Sequence, residues 1–535
     1  MSLYVLITLL LGIFFSLLFY TIINIYVTNK YWIRILFLLV LALLFKNDWG
    51  IHFYGLEYED AYVFNFIARQ FAHNIYSHSF LTDGILVGSM EDPIIMGTYG
   101  GHFITYPVFM SYFYRFLGFE SHYICYINTF IEFLSLSILS IFPIKINKTN
   151  FGFLLPILYC IAPIMNVFSN TGFSETFSSF ICLSFLLSAA LYIENKSWYN
   201  CFFCIICLLL SFVCKRENVC LLIVPFSYVV WNYCRDKIVN KMDLVLFISS
   251  SFVLILYLTY IQNIFNIEQI ESTDINSSTF SIHYFIQLFP IFIKSLFSIN
   301  YFSISIYVLV VSAFFVWKRN EYWTLIFIIL FAIYLLLYSL HYRGYFFVKY
   351  NELSVFETFR YINNFYYLVP LIAASALYKL FIKSKKWIIY LSCTVILIFS
   401  LSATFNFRKE LSLIEDEDRF HATKIVCQFL EKEDDVVLIT ENILLYQLIS
   451  NDKFTICDIA QFSSTNHVFY GKTNFILIND DSIDYLMKRF GISLNFISIN
   501  PVLIYKNMKL YKIDLEKSSL TIVNNLKTER RCVMN

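Results

Sequence analysis

Charge is what this sequence has least of. Only 14% of its 535 residues are Asp, Glu, Lys or Arg, and the net charge is +1. A soluble domain carries about 25% charged residues, and a near-neutral chain implies no nucleic-acid partner. Gly and Pro are also few, 14 and 9, so no Gly/Pro-rich linker punctuates the chain, and no internal repeat stands out. The 13 cysteines lie mostly inside apolar runs, as Cys201, Cys204, Cys207 and Cys214 do, and no disulfide framework is visible. The spacing of the first three fits a metal site. On a hydrophobic span, packing as a small hydrophobe is the better reading. The N-terminus has no basic n-region and no small-residue cleavage site. Leu3–Val27 therefore reads as a retained span rather than a signal peptide.

What the chain has in abundance is apolar surface. Hydrophobic residues make up 59%, with 59 Phe and 40 Tyr, a usage that fits an AT-rich bacterial genome and aromatic membrane anchors. Such an excess exceeds what one core takes up, and it comes in runs long enough to cross a bilayer as helices. Spans are expected near 3–27, 31–45, 123–144, 151–167, 176–194, 199–214, 219–233, 243–262, 300–316, 322–341, 361–382 and 388–404. That is about twelve. The basic connectors (Lys30/Arg34, Lys145/Lys148, Lys196, Arg235/Lys237/Lys241, Lys318/Arg319, Lys379 to Lys386), taken as cytoplasmic, give one consistent path. It places outside the cytoplasm both termini, a first loop at 46–122, segments 263–299 and 341–360, and the tail. Segment 263–299 begins acidic and becomes amphipathic.

The tail changes character. Arg408–Leu430 has helical spacing, and Val436–Thr440 and Phe475–Ile478 read as strands, with helix-like stretches near 441–450 and 481–490. The expected architecture is a polytopic α-helical membrane protein (1–404) with a small α/β extracytoplasmic domain (405–535).

The first outer loop carries the sharpest local signal. From Asp60 onward, Phe64, Ile67, Ala68 and Phe71 fall on one side of a helix that suits the lipid boundary. Asp60 sits in its first turn, where the helix dipole favours a carboxylate. Glu59 and Asp60 read equally as simple caps of that helix.

Asp60, Phe64 and Ile67-Ala68-Arg69, in that register, resemble the first-loop motif of the GT-C type transferases that use polyprenyl-phosphate sugars. These include the protein O-mannosyltransferases and the lipid A aminoarabinose transferase. The family's second acid is Ala61 here, while Glu59 precedes Asp60. Further on, His102, Tyr106, Pro107 and Phe116-Leu117-Gly118 follow the family's amphipathic segment, with one of its two prolines. Glu175 resembles its second acidic position, Lys215-Arg216-Glu217 interrupts two apolar runs, and Arg360-Tyr361 opens a span. Charges at such depth are costly and face a cavity or a partner. Each also has a plainer reading: Glu175 as a helix cap, Lys215 and Arg216 as snorkelling anchors or partners of Glu217, Arg360 as a partner of Glu357.

The resemblance implies an inverting glycosyltransferase of the inner membrane, with its site and tail on the periplasmic side. Its partners would be a polyprenyl-phosphate-linked sugar donor, the bilayer, and a glycan, lipid or protein acceptor. Asp60 would be the general base, with Glu59 and Glu175 beside it. Arg216 and Arg360, then Lys215, Arg343 and Arg69, would hold the donor phosphate, and His102 and Tyr106 would lie on the acceptor loop. No cofactor is specified. A divalent metal is compatible with such sites, but His73, His78, His102 and His122 show no ligand spacing. Two other readings stand beside this one, a transporter or flippase of a lipid-linked sugar and a non-catalytic envelope assembly protein.

Overall fold

The computed structural model describes residues 2–28, 32–46, 59–73, 86–88, 93–96, 104–118, 123–145, 152–168, 174–237, 240–261, 280–302, 305–307, 309–310, 322–341, 361–374, 386–411, 416–440, 455–458, 473–479, 501–505 and 508–513. They divide into two compact units. The first comprises Met1–Gly55, Gly101–Phe113 and His122–Leu413, the second Leu56–Gly100, Tyr114–Ser121 and Ile414–Asn535.

The first unit is helical. Its elements are α1 (Ser2–Thr28), α2 (Trp32–Leu41, followed by a π turn Ala42–Lys46), and the body of α4 (Thr105–Leu117). Next come α5 (Tyr123–Lys145), α6 (Leu154–Cys160), α7 (Pro163–Phe168), α8 (Ser174–Glu194) and α9 (Trp198–Cys214). They are followed by a 3-10 turn Arg216–Leu222, α10 (Ile223–Asp236) and α11 (Lys241–Leu256). The last are α12 (Ile282–Leu296), α13 (Ile299–Phe302), α14 (Tyr322–Leu340), the helical segment 361–374 and α15 (Lys386–Leu411). Among the described residues five helices are long and apolar enough to cross a membrane: Tyr4–Val27, Tyr123–Pro143, Ser174–Glu194, Lys241–Thr259 and Tyr322–Leu340. The expected span 388–404 lies within the longer α15, whose shorter apolar stretch is Cys393–Arg408; the remaining expected spans are shorter here or fall partly outside the described residues. Exposed apolar side chains such as Leu9, Ile13 and Ile23 on α1, and Ile248, Phe252 and Ile255 on α11, suit contact with lipid chains.

Helix α8 is the axis of this unit. Every residue from Ser174 to Tyr192 is buried, as expected of a helix apolar on all sides. It packs against α5 and α9. Ser184 and Ser188 donate to Phe180 and Phe185 carbonyls, so these small hydroxyls satisfy themselves within the helix. At its Glu194 end, Asp243 accepts from Lys196 Nζ (2.7 Å), Tyr192 (3.0 Å) and Asn232 (3.3 Å). With 21 residues at about 1.5 Å each, α8 separates this cluster from its other end by roughly 30 Å, a hydrocarbon thickness.

The expected span 151–167 is two helices, not one. Pro163 has no N–H to continue α6 and instead opens α7. The Asn166 side chain donates to the Cys160 carbonyl (2.7 Å) at the break. Span 219–233 likewise begins as a 3-10 turn. Segment 361–374 passes through i→i+3 bonds at Asn364, Phe365, Leu368 and Val369, just before Pro370. Helix α15 runs unbroken through Thr404 to Leu411.

The second unit holds α3 (Glu59–Ala72), a hairpin of β1 (Leu86–Gly88) and β2 (Pro93–Met96), and the C-terminal part of α4. Gly118, with φ 95°, closes α4 by donating to the Tyr114 carbonyl. The rest is α16 (Asp416–Leu430) and strands β3 (Val436–Thr440), β4 (Thr455–Asp458), β5 (Thr473–Asn479), β6 (Leu503–Tyr505) and β7 (Met508–Ile513). The sheet order is β4-β3-β5-β7-β6, parallel across β4-β3-β5 and antiparallel from β5 to β6. Central β3 is buried on both faces, hence its unbroken apolar run. Val426, Cys427 and Leu430 of α16 pack on Leu438, Phe475 and Leu477. The first-loop strand β1 packs against edge strand β4.

Candidate functional site

The far end of α8 gathers charge. Glu175, in its first turn and 1% exposed, accepts a hydrogen bond from Lys215 Nζ at 2.8 Å. Lys215 reaches it because the chain leaves helical geometry there. Its φ of −156° and ψ of 137° end α9 and turn the next residues into the 3-10 segment. Lys215 also stands 5.9 Å over the Tyr361 ring, which stacks on Tyr338 at 5.0 Å. Arg216 Nη2 donates to His341 Nε2 at 2.8 Å.

A buried amide network holds these segments together. Asn218 donates to the Ser178 hydroxyl (2.8 Å) and the Ser211 carbonyl (2.9 Å). Its Oδ1 accepts from Tyr334 (3.0 Å) and Asn364 (3.2 Å), and Asn364 also donates to the Tyr338 hydroxyl. Ser179 donates to the Asn363 carbonyl at 2.6 Å. One cluster thus fixes α8, α9, α14 and segment 361–374 in place. Tyr106 borders it. Its ring lies 5.7 Å from Phe177, and its hydroxyl donates to Asn128 Oδ1 at 2.9 Å.

The expected residues divide as follows. Glu175, Lys215 and Arg216 come together in the first unit, and Lys215 pairs with Glu175, forty residues upstream, in place of Glu217. Asp60 and Glu59 belong to the second unit, in the first turn of α3, and their side chains lie outside the described residues. Arg69 is on the same helix and 1% exposed. Nine residues separate its Cα from that of Asp60, about two and a half turns, so the two positions lie on opposite sides of the helix. His102, Arg343 and Arg360 lie outside the described residues. Helix α3 also differs from a simple lipid-surface helix. Besides Phe64, Ile67 and Phe71, polar Asn65, Arg69 and Gln70 are buried. Asn65 donates to the Tyr114 hydroxyl (2.9 Å) and Arg115 to the Phe71 carbonyl (2.6 Å), so α4 covers part of the polar flank. Among the described residues no three His, Cys, Asp or Glu side chains converge as a metal site. Cys201, Cys204, Cys207 and Cys214 are buried in packing.

Three functional candidates escape the sequence reading. His341 directly follows a span. Lys46 and Glu132, 0% and 1% exposed, form an ion pair at 3.8 Å inside the first unit. Glu132 is the one acidic residue of α5, and an acid in an apolar run is itself a signal.

No protein-family model and no curated sequence matches this chain. The fold does match solved structures. One is ArnT from Cupriavidus metallidurans bound to undecaprenyl phosphate, similar over 91% of this chain and 97% of that one, with a TM-score of 0.54 and 9% identity. A looser likeness, with a TM-score of 0.46 and 11% identity over 85% and 70%, is to the archaeal oligosaccharyltransferase AglB from Archaeoglobus fulgidus, in complex with an inhibitory peptide and a dolichol-phosphate. At these identities what is shared is architecture: the chain has the GT-C type fold.

Proposed function

We propose that this protein is an integral membrane glycosyltransferase. It moves a sugar from a polyprenyl-phosphate donor to an acceptor at the periplasmic face of the inner membrane. The observation that carries the reading is the fold shared with ArnT over nearly the whole of both chains, that structure being bound to undecaprenyl phosphate. The Glu175–Lys215 and Arg216–His341 pairs support it, since they supply cations at one end of the helical unit.

The chemistry follows from the groups. The acceptor hydroxyl attacks the anomeric carbon while Asp60 takes its proton. The bond from that carbon to the phosphate oxygen breaks, and the electron pair leaves on the phosphate. One displacement inverts the anomeric centre. Arg216 stabilises the leaving phosphate, and its planar fork suits phosphate oxygens. Arg360, Arg343 and Arg69 are further candidates for that charge. Lys215 shares its charge with Glu175, which acts as its anchor.

Replacing Arg216 by Ala is expected to lower transfer by roughly 10²–10³-fold, the usual cost of one lost electrostatic donor at a reacting oxygen. Mass spectrometry of envelope glycolipids and glycans in a complemented deletion strain reads it. Full restoration by the variant would remove Arg216 from the mechanism. The topology has a separate check. A reporter fused to the C-terminus should be active outside the cytoplasm only, and cytoplasmic activity would reverse the orientation.

A further inference from the structure

The Lys46–Glu132 pair lies beyond the groups used above. Lys46 ends the π turn after α2, a rare geometry that often marks functional sites. Its Nζ sits 3.8 Å from Glu132 Oε1, outside hydrogen-bond distance, and 4.3 Å above the Tyr159 ring. The Tyr159 hydroxyl donates to the same carboxylate oxygen at 3.4 Å. One turn along α5 is Asn128, whose Oδ1 is taken by Tyr106. Three atoms in this cluster are buried without a hydrogen-bond partner: Lys46 Nζ, Asn128 Nδ2 and Glu132 Oε2.

Orphaned polar atoms are costly anywhere and more so in a bundle surrounded by lipid. Here they comprise two donors and one acceptor. A phosphate only accepts, and Glu132 repels it. An isoprenoid chain offers neither. A hydroxyl both donates and accepts, so sugar hydroxyls match both kinds of orphaned atom. Tyr106 ties Asn128 to Phe177, two residues from Glu175, which makes the cluster continuous with the charged site. We infer that Lys46, Asn128 and Glu132 form the subsite that recognises the hydroxyls of an uncharged donor sugar. This rests on the reading of the protein as a transferase with a lipid-linked donor.

The test uses the full chain in nanodiscs and two probes. One is synthetic undecaprenyl phosphate. The other is the polyprenyl-phosphate-sugar fraction extracted from a deletion strain, where unused donor accumulates. Affinities come from ligand-induced shifts of the thermal midpoint. Two variants are compared with the wild type. Asn128→Ala is the milder. Lys46→Met with Glu132→Leu removes both charges together, which buried pairs tolerate well.

The wild type should bind the glycosylated fraction more tightly than the bare carrier. Asn128→Ala should weaken only the glycosylated fraction, by about tenfold, and the double variant by at least as much. Variants that bind both probes like the wild type would overturn the subsite. So would an equal loss for both probes, which marks a structural role. A wild type that binds the bare carrier without further gain from the sugar would overturn the subsite alone. Binding of neither probe would sink the transferase reading with it.

Discussion

Replacing Asp60 by Asn is expected to lower glycosyl transfer by roughly 10²–10⁴-fold, the contribution of a positioned general base. The amide keeps the size and helix-start chemistry of the carboxylate, so the first turn of α3 should persist. What it loses is the ability to accept a proton. Glu59→Gln is the control, because it removes the neighbouring acid. It should cost only a few-fold, since the base at position 60 remains. The measurement is the missing glycan or glycolipid in a deletion strain carrying each variant, normalised to protein in the membrane. Full restoration by Asp60→Asn would end the assignment. A larger loss from Glu59→Gln than from Asp60→Asn would move the base by one residue.

Glu175→Ala should be the most destabilising single change at the charged site. Removing one member of a buried ion pair costs about 3–5 kcal/mol, because the other charge stays buried without it. Lys215 retains 11% exposure and can turn toward water, which places the expectation at about 3 kcal/mol. Glu175→Gln with Lys215→Met should recover most of it. A double-mutant cycle of Glu175→Gln, Lys215→Met and the two together, on the full chain and read by thermal unfolding, isolates the coupling. A cycle that closes near zero would mean the 2.8 Å contact adds no stability, and with it would go the role of Glu175 as the anchor of Lys215.

Much of the helical unit was legible because hydrophobic runs record removal from water directly, whether into lipid or into the helical core. Leu3–Val27, 123–144, 176–194, 199–214 and 322–341 appear as helices with nearly those bounds. Strands β3 and β5 were legible for the same reason, as apolar runs between polar residues. Strands β4, β6 and β7 were not: β4 and β6 have only four and three residues, and Lys509 and Lys512 interrupt the apolar run of β7. Breaks inside spans were hidden as well. Pro163 ends one helix and starts another, a distinction that depends on whether Asn166 caps the freed carbonyl.

The candidate site was legible as a set of charges and illegible as a set of pairs. Hydropathy marks Lys215 and Arg216 as costly, but it cannot say what meets them. Sequence neighbours suggested Glu217, and the partner is Glu175. Lys46 passed for the start of a polar loop. It became a buried ammonium only when α2 ended in a π turn beside Glu132.

The sequence by itself therefore determined the solvent of each segment: lipid for the long apolar runs, an α/β core for the tail, and a carboxylate at the start of a helix in the first loop. Those follow from composition and period along one strand of chain. Only the tertiary structure decided which charges neutralise which, and that the first-loop hairpin packs with the tail sheet. Such pairings join residues far apart in sequence. Their energies depend on distance and local burial, which no local pattern encodes.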